Sequence, residues 1–236
     1  MDYRYFYFLW SLIFLTIWLI LFLHRKDLRE DMLFISFFFG WGGVISQFTH
    51  LVDWWRPLTL TGTPVGIEDF IIGFSIGGIA SVIYIEMYHL KFKSEHHFLK
   101  MKSKKHYFMG DIFLFTFALV FLGMFYIAHL SSFYSVVIAY LSGIGVMAFY
   151  RKDLILDSAV SGIIMLIMGF LIYCLLFLLY PEYILKFWYL RENWYSQLMF
   201  GIPLSEYIWF FFTGAFIGPL YEFVRNKKLL HIKISN

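Results

Sequence analysis

The sequence predicts an all-α integral membrane protein of seven transmembrane helices, arranged as a parallel 3+1+3 internal repeat. Of its 236 residues, 61% are hydrophobic and only 15% are charged, whereas a soluble domain carries about 25% charged residues. Apolar runs of about 20 residues recur along the chain, and each is long enough to cross an apolar layer of about 30 Å. Two short motifs occur once in each half and predict the repeat.

The first apolar run is predicted to be a permanent helix, because no small-residue cleavage site of a signal peptide follows it. The single cysteine, Cys174, lies within an apolar run, so no intrachain disulfide is expected. The predicted spans cover residues 5–23, 32–52, 68–90, 107–128, 132–149, 159–180 and 202–224.

The basic residues predict the orientation in the membrane. Fifteen of the 19 Lys and Arg residues fall in the C-terminal tail and the loops after spans 1, 3 and 5, and four fall on the opposite side. The positive-inside rule therefore predicts a multi-pass cell-membrane protein with its N-terminus outside and its C-terminus in the cytoplasm. The net charge of +3 does not indicate nucleic-acid binding, since the basic residues are sorted by membrane side.

The first repeated motif opens the third and seventh predicted spans. At an offset of 137 residues, Asp69 falls on Glu206 and Phe70 falls on Tyr207. The second motif, Arg-Lys-Asp-Leu, follows both span 1 and span 5. Residues 1–236 are therefore interpreted as one transmembrane domain, with repeat one at 3–90, a connector helix at 107–128 and repeat two at 132–224. Matching helices four spans apart have the same orientation, so the repeat is parallel. Chance coincidence of short motifs is the alternative.

Three acids near the starts of these helices are the candidate catalytic residues: Glu68, Asp69 and Glu206. Ionisable groups at membrane depth indicate a functional site, and apolar neighbours favour the protonated form of a carboxyl group, which can then donate a proton. The alternative is structural, because acids in the first turn of a helix complement its dipole and cap free N–H groups.

The end of span 2 supplies further candidates on the same side of the membrane. His50 and Asp53 lie one helical turn apart, but they are only two of the three or four ligands a metal needs, so no metal site is predicted. Trp54 and Trp55 are either interfacial belt residues or rings that stabilise a cation. Arg56 either holds one of the acids as its anion or extends to the surface.

The chain resembles the integral-membrane lycopene cyclase domain family. The family pattern is Pro-x-Glu-Glu/Asp-Phe/Tyr at the start of each third repeat helix, followed by an aromatic, glycine-bearing helix that ends near Tyr-Glu. Residues 62–88, with the preceding Trp-Arg-Pro, and residues 201–223 are similar to those segments. Gly66 stands where the first motif has proline, and Ser205 stands where the second has its first acid.

The resemblance implies a membrane carotenoid cyclase that converts the end of a linear polyene, such as lycopene, into a ring without net redox chemistry or a cofactor. The lipid bilayer, a lipophilic polyene substrate and carotenoid-pathway enzymes are the implied partners, and no nucleic acid is expected. Glu206, Asp69 and Glu68 are the implied catalytic residues. The candidate substrate-binding residues are Trp54, Trp55, Arg56, His50, Asp53, Phe70, Tyr207 and Phe211.

Three other classes of membrane protein are alternatives to a cyclase. A small solute transporter can use a similar repeat, but the middles of the predicted spans carry Thr and Ser rather than charge. A retinal photoreceptor needs a lysine within its last helix, whereas Lys227 and Lys228 lie beyond it. A non-catalytic carotenoid-binding relative is consistent with the departures at Gly66 and Ser205.

Overall fold

The fold is mainly helical, as given by a computed structural model that describes residues 2–92 and 100–231. Within this part of the chain the helices are α1 (Arg4–His24), α2 (Arg29–Asp53), α3 (Ile67–Met87), α4 (Lys100–Tyr126), α5 (Ser132–Tyr150), α6 (Ile155–Phe177), α7 (Tyr183–Phe187), α8 (Leu204–Ile217) and α9 (Leu220–Val224). Two antiparallel pairs of short strands accompany them: β1 (Leu90–Phe92) with β4 (Leu229–His231), and β2 (Leu198–Met199) with β3 (Ile202–Pro203).

Six helical stretches are long and apolar enough to cross a membrane, which confirms the helical class and its membrane-type composition. They are Arg4–His24, Lys26–Asp53, Ile67–Met87, Ser132–Tyr150, Lys152–Phe177 and Leu204–Val224. A further apolar helical stretch among the described residues, Gly110–Tyr126, lies in α4.

Several predicted span boundaries differ from the observed helix ends: α3 ends at Met87 and not at residue 90, and α4 begins at Lys100 and not at residue 107. The last predicted span, 202–224, is not one continuous helix, because Ile202–Pro203 forms β3 and the helix is interrupted between α8 and α9. The interruption falls at Pro219, which has no backbone N–H and cannot continue the helical hydrogen-bond ladder. The sixth helix begins at Ile155, directly after a 3₁₀ turn, and not at the predicted residue 159.

Glycines set the close approach of the helices in both halves. A Cβ atom added to Gly77 on α3 would lie 2.8 Å from Phe39 Cβ on α2, and one added to Gly214 on α8 would lie 2.8 Å from Met165 Cβ on α6. The two glycines are 137 residues apart, which is the offset between Asp69 and Glu206. Phe39 and Met165 are 126 residues apart, which is the offset between the two Arg-Lys-Asp-Leu motifs. The pairs α2–α3 and α6–α8 therefore meet at corresponding positions.

The arginines of those two motifs also bind at corresponding positions. Arg25 Nη2 donates to the Leu90 carbonyl oxygen at 2.7 Å, and Arg151 Nη2 donates to the Lys227 carbonyl oxygen at 3.1 Å. Each arginine also binds the aspartate two residues later in the chain. Arg25 therefore holds the chain that follows α3, and Arg151 holds the chain that follows α9.

Candidate functional site

A long cavity of about 700 Å³ runs between α2, α3, α4 and α8. Its lining on α2 extends from Phe34 to Trp55, which corresponds to about 30 Å of helical rise. Aromatic and aliphatic side chains form most of the wall. Two buried carboxyl groups, those of Asp69 and Glu206, line the same cavity as Trp55, and the exposed Asp111 of α4 lines it as well. The space is therefore long, mainly apolar and bounded by acids where α3 and α8 begin.

Glu206 is buried and accepts three hydrogen bonds from side chains of other elements. Trp54 Nε1 donates to its Oε1 at 2.9 Å, and Trp188 Nε1 donates to the same oxygen at 3.0 Å. The Tyr173 hydroxyl donates to its Oε2 at 2.9 Å. Because an indole N–H can only donate, Oε1 is fixed as an acceptor, and only Oε2 can carry a proton.

The helix-cap interpretation does not account for Glu206. Glu206 is the third residue after Pro203, which directly precedes α8. From this position a carboxylate can usually accept a hydrogen bond from the backbone N–H of the residue before the helix. Proline has no backbone N–H to offer. No backbone N–H among the described residues donates to Glu206, and its carboxyl group instead faces the tryptophans and Tyr173.

Asp69 combines a cap with a position in the cavity wall. The backbone N–H of Gly66 donates to its Oδ2 at 2.7 Å, which is the capping contact that Glu206 lacks. The Tyr7 hydroxyl lies 2.5 Å from its Oδ1. A proline in place of Gly66 could not make the first bond, so a residue with a backbone N–H at this position is what lets Asp69 cap α3.

The two acids stand beside an aromatic cage formed by Tyr7, Trp10, Trp54, Trp55, Tyr173 and Trp188. The ring centroids of Trp55 and Trp188 are 4.8 Å apart, and those of Tyr7 and Trp55 are 4.9 Å apart. The ring centroid of Trp10 lies 5.7 Å from that of Trp55 and 5.4 Å from that of Tyr173, so Trp10 packs between these two rings. Among the described residues, no Lys or Arg lines the cavity. The cage therefore offers π faces to a cation without a competing basic side chain.

No family model, curated protein or solved structure matches this chain.

A short antiparallel contact positions three of the tryptophans. The backbone N–H of Arg56 donates to the Phe187 carbonyl at 2.7 Å, and the N–H of Tyr189 donates to the Trp54 carbonyl at 2.8 Å. Trp55 and Trp188 pair between these two bonds. The pairing ties the end of α2 to the segment that follows α7 and directs the indoles of Trp54 and Trp188 to the same carboxylate oxygen.

Sequence reasoning missed four of the cage residues. Tyr7 and Trp10 lie three positions apart in the sequence and therefore share a face of α1. This pattern also fits ordinary helix packing. Tyr173 lies in an apolar helix without a local signal. Trp188 lies in an aromatic segment typical of a membrane interface, but only 7% of its surface is exposed.

α7 holds the chain that carries Trp188. Tyr183 on this helix stacks on Phe6 of α1, with ring centroids 3.6 Å apart. Burial raises the pKa of the Tyr183 phenol, so it packs as a neutral ring. The stack holds α7 against α1. Trp188, which directly follows α7, is thereby placed so that its indole N–H reaches Glu206.

Glu68, a predicted catalytic acid, does not line the cavity. Its side chain is fully buried, and its Oε1 accepts the backbone N–H of Leu60 at 2.7 Å. A Cβ atom at Gly66 would overlap its Oε2. Glu68 thus holds the loop before α3, and its neighbour Asp69 is the acid of this helix start that reaches the cavity.

Of the candidates at the end of α2, Trp54, Trp55 and His50 line the cavity, whereas Asp53 and Arg56 do not. Asp53 accepts the backbone N–H and the hydroxyl of Ser132, at 2.9 and 2.5 Å, and so ties α2 to the start of α5. Arg56 is exposed, and its guanidinium lies 5.8 Å from the Tyr189 ring centroid. The expected pairing of Arg56 with one of the acids is therefore not observed.

The three remaining candidates lie outside the cavity. Phe70 packs against Trp41, with ring centroids 5.6 Å apart. The hydroxyl of Tyr207 donates to the Met199 carbonyl at 2.8 Å. Phe211 contacts α6 at Gly162. These positions support helix packing, and the cavity wall is made by other faces of the same helices.

Within the described residues, no three His, Cys, Asp or Glu side chains are grouped so that they could hold a metal ion. The polar groups that bind the two acids through their side chains are phenol and indole groups, and Ser46, Gln47, His50 and Thr213 also line the cavity. This set suits the transfer of a proton and the stabilisation of a cation.

Proposed function

We propose that this protein is a membrane carotenoid cyclase of the lycopene cyclase type, which closes the end of a linear polyene into a ring by acid catalysis. One observation carries the proposal: an apolar cavity about 30 Å long meets two buried carboxyl groups beside an aromatic cage. A long hydrocarbon fits the apolar wall, and its terminal double bond would lie against Asp69 and Glu206.

The reaction balances without a cofactor. A proton adds to the terminal double bond and leaves a carbocation. The π electrons of a nearby double bond then attack that cation, and a carbon–carbon bond closes a six-membered ring. Loss of a proton from a neighbouring carbon restores a double bond. Substrate and product are isomers, so the site needs only a proton donor, a base and an environment that protects the cation from water.

Glu206 is assigned as the proton donor in this scheme. Its Oε1 is held as an acceptor by two indole N–H groups, so the proton is carried on Oε2, beside the Tyr173 hydroxyl. A phenol can both donate and accept a hydrogen bond. Tyr173, which does not itself line the cavity, can therefore orient the proton on Oε2.

Asp69 is assigned as the base. The Gly66 N–H and the start of α3 favour its anion, because the helix N-terminus carries a partial positive charge. The anion would stabilise the carbocation and then take the proton released after ring closure. Transfer of that proton back to Glu206 restores the site for the next turnover.

The proposal includes a seven-span topology with α4 as the connector and a parallel 3+1+3 repeat. The corresponding contacts of Gly77 and Gly214, and those of Arg25 and Arg151, support the repeat. The distribution of basic residues supports an external N-terminus and a cytoplasmic C-terminus. In this orientation the two acids lie towards the outer face.

Expression in a bacterial host that accumulates lycopene tests the activity. Chromatography of the extracted pigments should show one- or two-ring products in cells with the wild-type protein and lycopene alone in cells with Glu206→Gln. Immunoblotting of the membrane fraction checks that both proteins are present at equal levels. Unchanged lycopene in the presence of membrane-inserted wild-type protein would overturn the assignment.

A non-catalytic carotenoid-binding protein is the second candidate. The observation that favours it is the complete hydrogen bonding of both carboxyl groups, with three donors at Glu206 and two at Asp69. In a non-catalytic protein, carboxyl groups with these hydrogen bonds would serve to fix the aromatic cage. Under this reading, wild-type protein and Glu206→Gln would both retain bound, unconverted polyene after purification.

A further inference from the structure

The cavity opens sideways between α2 and α4. Five residues of these helices border the opening, and we refer to them as the α2–α4 gap: Trp41, Gly42, Ile45, Phe115 and Leu119. All five line the cavity, and four of them also show exposed outer surfaces, with 61% exposure for Trp41 and 64% for Phe115. A side chain that faces both the cavity and the outside marks the edge of an aperture.

Helix packing explains why the gap exists. α2 packs most extensively against α3 and α5, and α4 packs against α5 and α9. Near the acids the two helices meet through His50 and Phe121, whose ring centroids are 6.2 Å apart. The cavity is therefore closed beside the acids by this contact and is open at the level of Gly42.

Gly42 is the smallest part of the rim. An added Cβ at Gly42 meets no atom within 4 Å, whereas the neighbouring Gly40 and Gly43 face α3, where an added Cβ would overlap Phe70 and the Asp69 carbonyl. The glycine at position 42 is thus not required by close helix packing. Its missing side chain leaves free width in the aperture.

We propose that the α2–α4 gap is the portal through which a linear apolar chain passes, end first, from the bilayer to the acids. This inference rests on the proposed function. The rim is apolar and belongs to the membrane-length helix Lys26–Asp53 and to the apolar stretch Gly110–Tyr126. An aperture at that level faces lipid tails, which exclude a water-soluble ligand but dissolve a polyene.

The geometry also determines how such a chain is processed. Only one end can lie at the acids, and the remainder extends along α2 towards the portal. A substrate with two reactive ends must therefore leave and enter again before the second end reacts, so a one-ring product is expected to form before any two-ring product.

The portal is tested by narrowing it. Gly42→Leu places a side chain in the aperture, and its matched control is Gly145→Leu on α5, where an added Cβ also meets nothing within 4 Å but the position does not line the cavity. In lycopene-accumulating cells, Gly42→Leu should reduce the initial rate of conversion by on the order of tenfold, as expected for overfilling a confined space. Gly145→Leu should stay near the wild-type rate.

A second variant and a binding measurement separate the portal from the reaction. Ile45→Phe narrows the rim without changing a glycine and without adding a tryptophan. In detergent-solubilised protein, energy transfer from tryptophan to methyl parinarate, a linear conjugated tetraene, reports binding without turnover. Transfer should be strong in wild-type protein, Gly145→Leu and Glu206→Gln, and it should fall in Gly42→Leu and Ile45→Phe.

Equal transfer and equal conversion in Gly42→Leu, Ile45→Phe and Gly145→Leu would overturn the portal while leaving the cyclase proposal intact. Binding that depends on the rim, together with no conversion by the wild-type protein, would support the portal and overturn the cyclase proposal.

Discussion

At the scale of single residues, the two acids at corresponding helix starts differ because of the residue three positions before each of them. Gly66 has a backbone N–H and engages Asp69, so this carboxyl group caps its helix. Pro203 has none, so Glu206 is available to the indoles of Trp54 and Trp188. A glycine in one half and a proline in the other thus give two carboxyl groups different partners.

Glu206→Gln should lower polyene conversion by about 10²–10⁴-fold, the usual cost of losing a positioned acid or base. An amide of nearly the same shape can accept from the two indoles but cannot donate a proton of comparable acidity. Pigment chromatography measures the effect, and the exposed Glu192→Gln is the matched control. Full conversion by Glu206→Gln would restrict this carboxyl group to a structural role.

Tyr173→Phe should lower conversion by about tenfold to a hundredfold, because it leaves a buried carboxyl oxygen without its donor and removes the hydroxyl that orients the proton. The ratio of rates in H₂O and D₂O should rise, since proton delivery becomes the slow step. Tyr189→Phe removes a hydroxyl that binds the Leu51 carbonyl outside the cavity and is the control. An unchanged isotope ratio in Tyr173→Phe would argue against proton delivery through this pair.

At the scale of elements, α2 uses neighbouring glycines for opposite purposes. Gly43 lets α3 approach closely, because any Cβ there would overlap the Asp69 carbonyl oxygen. Gly42 faces free space at the rim of the cavity. Of these two adjacent positions, Gly43 allows the close packing that places Asp69, and Gly42 borders the proposed portal.

Gly43→Ala should destabilise the protein by about 1–3 kcal/mol, as expected for overpacking, and should reduce conversion by displacing Asp69. Gly42→Ala should be neutral or stabilising by up to about 1 kcal/mol, since alanine favours a helix over glycine. Thermal unfolding in detergent compares the two variants, which share the same chemical change. Similar unfolding temperatures for both would contradict the close contact between α2 and α3.

At the scale of the whole molecule, the 15-to-4 distribution of basic residues predicts the orientation of the bundle. A C-terminal fusion to a reporter active only in the cytoplasm should be active, and a fusion of the same chain to a reporter active only outside should be silent. The same pair of reporters at the N-terminus should give the opposite pattern. An active external reporter at the C-terminus would show that the orientation is inverted and that the acids lie towards the cytoplasm.

The sequence by itself determined the helical class, the apolar lengths of the spans and the correspondence of Asp69 with Glu206, because hydrophobic runs and repeated motifs are local properties of the chain. It also identified Trp54 and Trp55 as candidates for a cationic site. It could not rank Glu68 against Asp69, since adjacent residues at a helix start point to different sides and only packing decides which side faces the cavity.

Only the tertiary structure brought Tyr7, Tyr173 and Trp188 to the acids, because these residues come from α1, α6 and the segment after α7, far apart in sequence. The structure also shows that four predicted substrate-binding residues do not line the cavity, because their side chains face the surface or neighbouring helices: Arg56, Phe70, Tyr207 and Phe211. The opening at Gly42 was equally inaccessible to sequence reasoning. The sequence does not distinguish a glycine at a close helix contact from a glycine beside an opening. Here the position of α4 relative to α2 makes that distinction.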